Sequence, residues 1–178
     1  MTGDGFDFYF TSFNKEKEAG VTDSCAKLLA DKGLTVVFIE SATAGYLAHR
    51  FSVSPYSGDV LMGSLVCYDV SIKKQVLKVP SQLIEDCTPE SLEVTRELVI
   101  KAKKMFEADL YVACTGLLKP GGSETEEKPV GTFFYCIGYQ GEIYDFRSLC
   151  HGAPEQKLRS INSLICKSII EVVTSHTA

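Results

Sequence analysis

Histidine is scarce in this sequence of 178 residues, where only His49, His151 and His176 occur. None of the three directly follows a segment that reads as a strand, so a Ser–His–Asp arrangement is poorly supported. Positive charge is also in short supply: 18 Lys plus Arg stand against 23 Asp plus Glu, a net charge of −5. Such a chain offers a polyphosphate backbone no long-range attraction, which argues against nucleic acid as the main partner. Apolar runs fall well short of the ~18 residues that a membrane helix needs. Met1 to Phe13 has no basic region followed by an apolar block. Together these absences predict a soluble, unexported protein with no membrane partner. Cys-x-x-Cys pairs are missing too, and the seven cysteines form an odd set in a chain too long to need disulfide staples. A reducing cytoplasm is the expected home. Cys67, Cys114 and Cys136 lie in apolar runs and read as small buried hydrophobes. Cys150 beside His151 is the one Cys/His neighbour pair, and with no second cluster a metal is not expected; the residue pattern offers no good site for an organic cofactor either.

What is present is the composition of a globular protein, 45% hydrophobic and 23% charged, long enough for one domain over residues 1–178 with a sizeable core. Residues 1–12 read as an arm, either ordered or frayed. Residues 14–32 predict a helix ending at Gly33, and 34–39 (LTVVFI) a buried parallel strand. A turn at 41–45 leads into a short helix through Ala48 and Phe51, with a loop at Ser57 and Gly58. Residues 60–70 predict a second strand, 71–77 one or two helical turns, and 91–108 an amphipathic helix after Pro89. A third strand at 109–115 precedes a polar loop over 119–129. Two strands at 130–139 and 142–149 then form a hairpin through Gln140-Gly141, and a last helix starts near Pro154. The alternation of helices and strands predicts an α/β fold, a three-layer α/β/α sandwich with a mixed, mostly parallel sheet.

Ligands of open α/β sheets bind at the carboxyl ends of strands, which directs attention to four clusters. ESATAG (40–45) places Ser41 and Thr43 on a small-residue turn opening a helix, with Ala44 and Gly45 leaving room for a ligand. Either hydroxyl could be a nucleophile or a plain helix cap. YDVSIK (68–73) carries Tyr68 and Lys73. A lysine is usually a solvated surface charge, but a desolvated one can accept a serine proton, and other bases are few. Thr115 and Gly116 end the third strand, as a functional hydroxyl or as a cap. KPVGT (128–132) brings Lys128 and Gly131, where the ammonium or loop amides could hold an anion.

In this order and spacing, ESATAG, VCYDVSIKKQVLKVP, ADLYVACTG and EEKPVGTFF resemble the CinA C-terminal domain family from about residue 16 onward. The resemblance implies an amidohydrolase that converts nicotinamide mononucleotide to nicotinate mononucleotide and ammonia. In that pattern Ser41 matches the nucleophile, Lys73 the base, and Tyr68 and Thr115 supporting hydroxyls. Amides around Ala44 and Gly45 are expected to stabilise the oxyanion. A homodimer or larger homo-oligomer is also expected. So is a stand-alone domain, lacking the large domain that precedes it in many members. The chain departs from the pattern where Ala42 replaces Cys and Ala44 replaces Gly. Leu117 to Pro120 replaces a small, flexible segment, and Gly152, Ala153, Pro154 replaces Gly-Asp-Arg. Without that arginine, Arg159, Lys119 or Lys128 are the candidates to hold the substrate's phosphate or base. These departures also support an alternative, a silent relative that binds a nucleotide or a protein partner on the same scaffold.

Overall fold

In the computed structural model of the chain, residues 15–175 are described, with side chains from Gly20 onward. The arm expected at residues 1–12 and His176 lie outside them. Helix α1 (Lys15–Asp31) ends as expected at Gly33, whose φ of +65° lets Gly33 N–H reach Ala30 O and Leu34 N–H reach Leu29 O. That paired closure is the glycine-terminated helix end. Strand β1 (Val36–Glu40) follows and is buried along its whole length. Helix α2 (Tyr46–Ser52) precedes a single turn, α3 (Ser57–Val60), where a loop was expected.

Strand β2 (Leu61–Val66) is shorter than the predicted 60–70. The Asp69 side chain caps α4 (Val70–Gln75) by accepting from Ser71 N–H at 2.7 Å, so the chain leaves the sheet before it. Helix α5 (Ser81–Cys87) is an element that the expected order lacked. Helix α6 (Leu92–Ala102) starts under a Ser91 cap but stops well before residue 108. The reversal to β3 (Leu110–Gly116) is held by Tyr111, whose hydroxyl donates to Phe106 O and accepts from Ala108 N–H. Strands β4 (Thr132–Tyr139) and β5 (Glu142–Leu149) meet at Gln140-Gly141, both at positive φ as a tight hairpin requires. Helix α7 (Pro154–Ser175) completes the described chain.

The sheet order is β2-β1-β3-β4-β5, with β1 parallel to β2 and β3, and the last two pairings antiparallel. Four strands therefore run one way and β4 alone is reversed. Side chains alternate between two cores. Val36, Phe38, Val112 and Cys114 face α1, α2 and α7, while Val37, Ile39, Tyr111 and Ala113 face α5 and α6. This is an α/β/α arrangement. Cys67, Cys114 and Cys136 are buried free thiols. Among the described residues no helix is long and apolar enough to cross a membrane, and no cluster of His, Cys, Asp or Glu could hold a metal.

Candidate active site

Ser41 follows the last residue of β1, the central strand of the parallel half, and its N–H is fixed by Cys114 O of β3 at 3.0 Å. The preceding residue, Glu40, is wholly buried and orders the turn. Its carboxylate accepts from the N–H groups of Gly45 (2.9 Å), Leu47 (3.0 Å) and Ala48 (3.0 Å), and from Ser64 Oγ (3.0 Å) on β2. A carboxylate thus satisfies the free amides at the start of α2 and ties that end to the sheet. Glu40 was not singled out from the sequence. The signal for it was a charged residue closing an otherwise apolar strand.

Lys73, on α4, turns inward and is wholly buried. Its Nζ donates to Ser41 Oγ at 2.9 Å and to Cys67 O at 2.8 Å. Burial pushes the ammonium below the ordinary lysine value of 10.5, while neighbouring Cys67, Glu90 and Asp69 act in the opposite direction. Ser41 is itself only 5% exposed, and it opens on a cleft of about 220 Å³. Ala42, Tyr68, Glu90, Gly116 and Lys119 also line this cleft.

The amides around Ala44 and Gly45, expected to face an oxyanion, are engaged within the turn. Gly45 N–H is engaged by Glu40, and Ala44 N–H donates to Ser41 O at 3.1 Å. The amide of Ala42, next to Ser41 and on the cleft wall, has no acceptor among the described residues. Ala44 is exposed and left-handed, with φ +49°, so its methyl does not obstruct the cleft. Thr43 Oγ1 is buried with no hydrogen-bond partner among the described residues. Tyr68 borders the cleft, is 57% exposed, and forms no hydrogen bond with Ser41 or Lys73.

Thr115 lies at the same end of the sheet, but its hydroxyl pairs with Thr95 Oγ1 at 2.8 Å. Thr95 in turn donates to Ser91 O at 2.6 Å, so the Thr115 proton goes to Thr95 and the chain of bonds ties β3 to the start of α6. Gly116 passes so close to β4 that a Cβ would sit 2.7 Å from Thr132 O. Gly131, at φ +103°, stacks against Cys150 O, where no side chain fits. Lys128 Nζ already has three acceptors: Thr88 Oγ1 (2.8 Å), Glu90 O (3.0 Å) and Ser123 Oγ (2.8 Å). Arg159 faces Glu155 at 3.8 Å and is not part of the cleft wall. Lys157, unremarked in the sequence, is 8% exposed and supports the wall by donating to Leu118 O at 3.1 Å.

Fold and site together define an α/β/α domain that holds a buried serine–lysine pair at the carboxyl edge of its sheet. The model of the CinA C-terminal domain matches residues 18–173, and the chain belongs to that family. A CinA-like protein of Mycobacterium marinum is 40% identical over 122 residues, 68% of this chain and 28% of that protein. One from Pseudothermotoga lettingae is 31% identical over 135 residues, 76% of this chain and 32% of its own. The chain spans about a third of the length of these relatives. Among solved structures, the competence damage-inducible protein A of Klebsiella pneumoniae superposes with a TM-score of 0.83 at 20% identity, covering 88% of this chain and 97% of that one. A CinA superfamily protein of Escherichia coli gives 0.82 at 21%, covering 91% and 94%. At such identities these two show the same fold.

Proposed function

We propose that this chain is an amidohydrolase that acts on a small carboxamide, nicotinamide mononucleotide in the first instance. The observation that carries the reading is the 2.9 Å contact between Lys73 Nζ and Ser41 Oγ at the floor of the cleft. Neutral Lys73 takes the Ser41 proton on its lone pair as Oγ attacks the carboxamide carbon, while one of its two N–H groups stays on Cys67 O. The Ala42 amide meets the developing oxyanion. The C–N bond then breaks, the amine leaves as ammonia with the proton returned from Lys73, and an ester to Ser41 remains. Water, deprotonated by Lys73, hydrolyses that ester and restores the serine. At about 220 Å³ the cleft is smaller than the ~300–1,000 Å³ that enclose a whole drug-sized ligand, so it takes the reacting ring while the remainder of the substrate lies at the mouth.

The test is ammonia release from nicotinamide mononucleotide by the wild type, Ser41→Ala and Lys73→Ala. Both variants are expected to lose at least about 10²-fold in kcat. Wild-type release no greater than that of the variants, for this and other nicotinamide amides, rejects the reading and leaves the silent binding relative.

A further inference from the structure

The segment Lys119-Pro120-Gly121-Gly122 forms part of the cleft wall that Ser41 also lines. Two successive amides there point at one carboxylate: Gly121 N–H donates to Glu124 Oε1 and Gly122 N–H to Glu124 Oε2, each at 2.8 Å. Gly121 is at φ +99°, the left-handed conformation that lets adjacent N–H groups converge. Such a concavity of backbone amides is an anion-binding nest. In this chain its occupant is the protein's own side chain. Glu124 is exposed, and apart from these two amides only its own backbone N–H holds its carboxylate among the described residues. Those amides also hold its carboxyl below the usual carboxylate range.

The frame around the nest is fixed independently of Glu124. Ser123 Oγ donates to Glu90 Oε2 at 2.6 Å, and Lys128 binds Ser123, Thr88 and Glu90. Thr125 N–H to Lys128 O and Lys128 N–H to Thr125 Oγ1 close the far side of the loop. The amides would therefore stay in place if Glu124 swung away. The cation at the nest follows by elimination. Lys73 is buried at Ser41, Lys128 has three acceptors, Lys157 holds Leu118 O, and Arg159 faces Glu155 away from the wall. Lys119 lines the cleft, is exposed, and has no partner among the described residues.

We propose that the Gly121 and Gly122 amides with Lys119 form the phosphomonoester subsite of the cleft, and that Glu124 is a built-in occupant which the substrate's phosphate displaces. The proposal rests on the amidohydrolase reading for the identity of the substrate, and on the nest for the class of ligand. A phosphate presents the same paired oxygens as a carboxylate and adds charge for the ammonium, so the exchange favours a dianion over the side chain. Glu124 then weakens binding of the phosphate-bearing ligand alone, because a ligand without an anionic group leaves the nest filled and gains nothing from it.

Titration calorimetry with the reaction product tests this without turnover. Nicotinate mononucleotide and its unphosphorylated riboside are compared on the wild type, Lys119→Met and Glu124→Ala, both substitutions being at exposed positions. Lys119→Met is expected to weaken the mononucleotide by about tenfold, and Glu124→Ala to tighten it by about fivefold, with the riboside unmoved by either. In parallel, inorganic phosphate should shift the Gly121 and Gly122 amide resonances, at lower concentration in Glu124→Ala than in wild type. Equal affinity of wild type for the two ligands, or equal response of both ligands to the variants, overturns the proposal. If these dependences hold while no ammonia is released, the subsite stands and the amidase reading falls. If nicotinamide mononucleotide is hydrolysed with the same KM in all three proteins, the reverse is true.

Discussion

Lys73 faces two opposing influences. Burial favours its neutral form, which the proposed chemistry needs, while Cys67, Asp69 and Glu90 favour the charged one. With burial the larger effect, activity should rise with pH through an apparent pKa below 10.5, and not at the value of an exposed lysine. Removing the Glu90 charge takes away one of the groups that hold the ammonium charged. In Glu90→Gln the rising limb of the kcat/KM profile should move to lower pH, and an unmoved limb would separate Lys73 from the titration. A second residue-scale expectation concerns Ala44, whose left-handed backbone costs a non-glycine residue about 1–2 kcal/mol. Glycine relieves that strain but adds roughly 0.4–1 kcal/mol of unfolded-state entropy. Ala44→Gly should thus stabilise the protein by about 0.5–1 kcal/mol in urea unfolding. Because the methyl faces solvent, KM should not change.

At the level of elements, the contact between α6 and β4 has no slack. A Cβ on Gly138 would lie 2.7 Å from Val99 Cγ1 and 3.0 Å from Lys103 Cε. Gly138→Ala should therefore cost about 1–3 kcal/mol by overpacking, read as a lower urea midpoint with an unchanged m-value. The elements themselves were largely legible, because their signals are local. Gly33 ends α1, Gln140-Gly141 turns the hairpin, and apolar runs mark the strands. What was misread depended on contacts far along the chain. The end of α6 is set by Tyr111 bonding back to Phe106, and α5 has no strong apolar period of its own. The site divides in the same way. Ser41 and Lys73 were visible as chemistry at strand ends, and they do meet. The partners of Lys128 at positions 88, 90 and 123, or the engagement of the Gly45 amide by Glu40, follow from no spacing in the sequence.

For the molecule as a whole, the same buried lysine makes stability depend on pH in a direction that can be derived. Where the folded chain holds Lys73 at a lower pKa than the unfolded chain, the unfolded state binds more protons between the two values. Stability then rises with pH across that window and levels off above 10.5. Below the folded pKa both states are protonated, and the folded chain carries the full penalty of an ammonium enclosed by Ser41 and Cys67. A methionine at this position fills similar space without charge. Lys73→Met should unfold at higher urea concentration than the wild type near pH 7. The gap should narrow steadily as pH is raised towards 10, with circular dichroism as the readout. A gap that stays constant over this range would mean that Lys73 keeps its proton in the folded chain as readily as in the unfolded one, and would remove the neutral base from the mechanism. A gap that narrows ties the two properties together, since the charge penalty that lowers stability at neutral pH is what makes the amine available to Ser41.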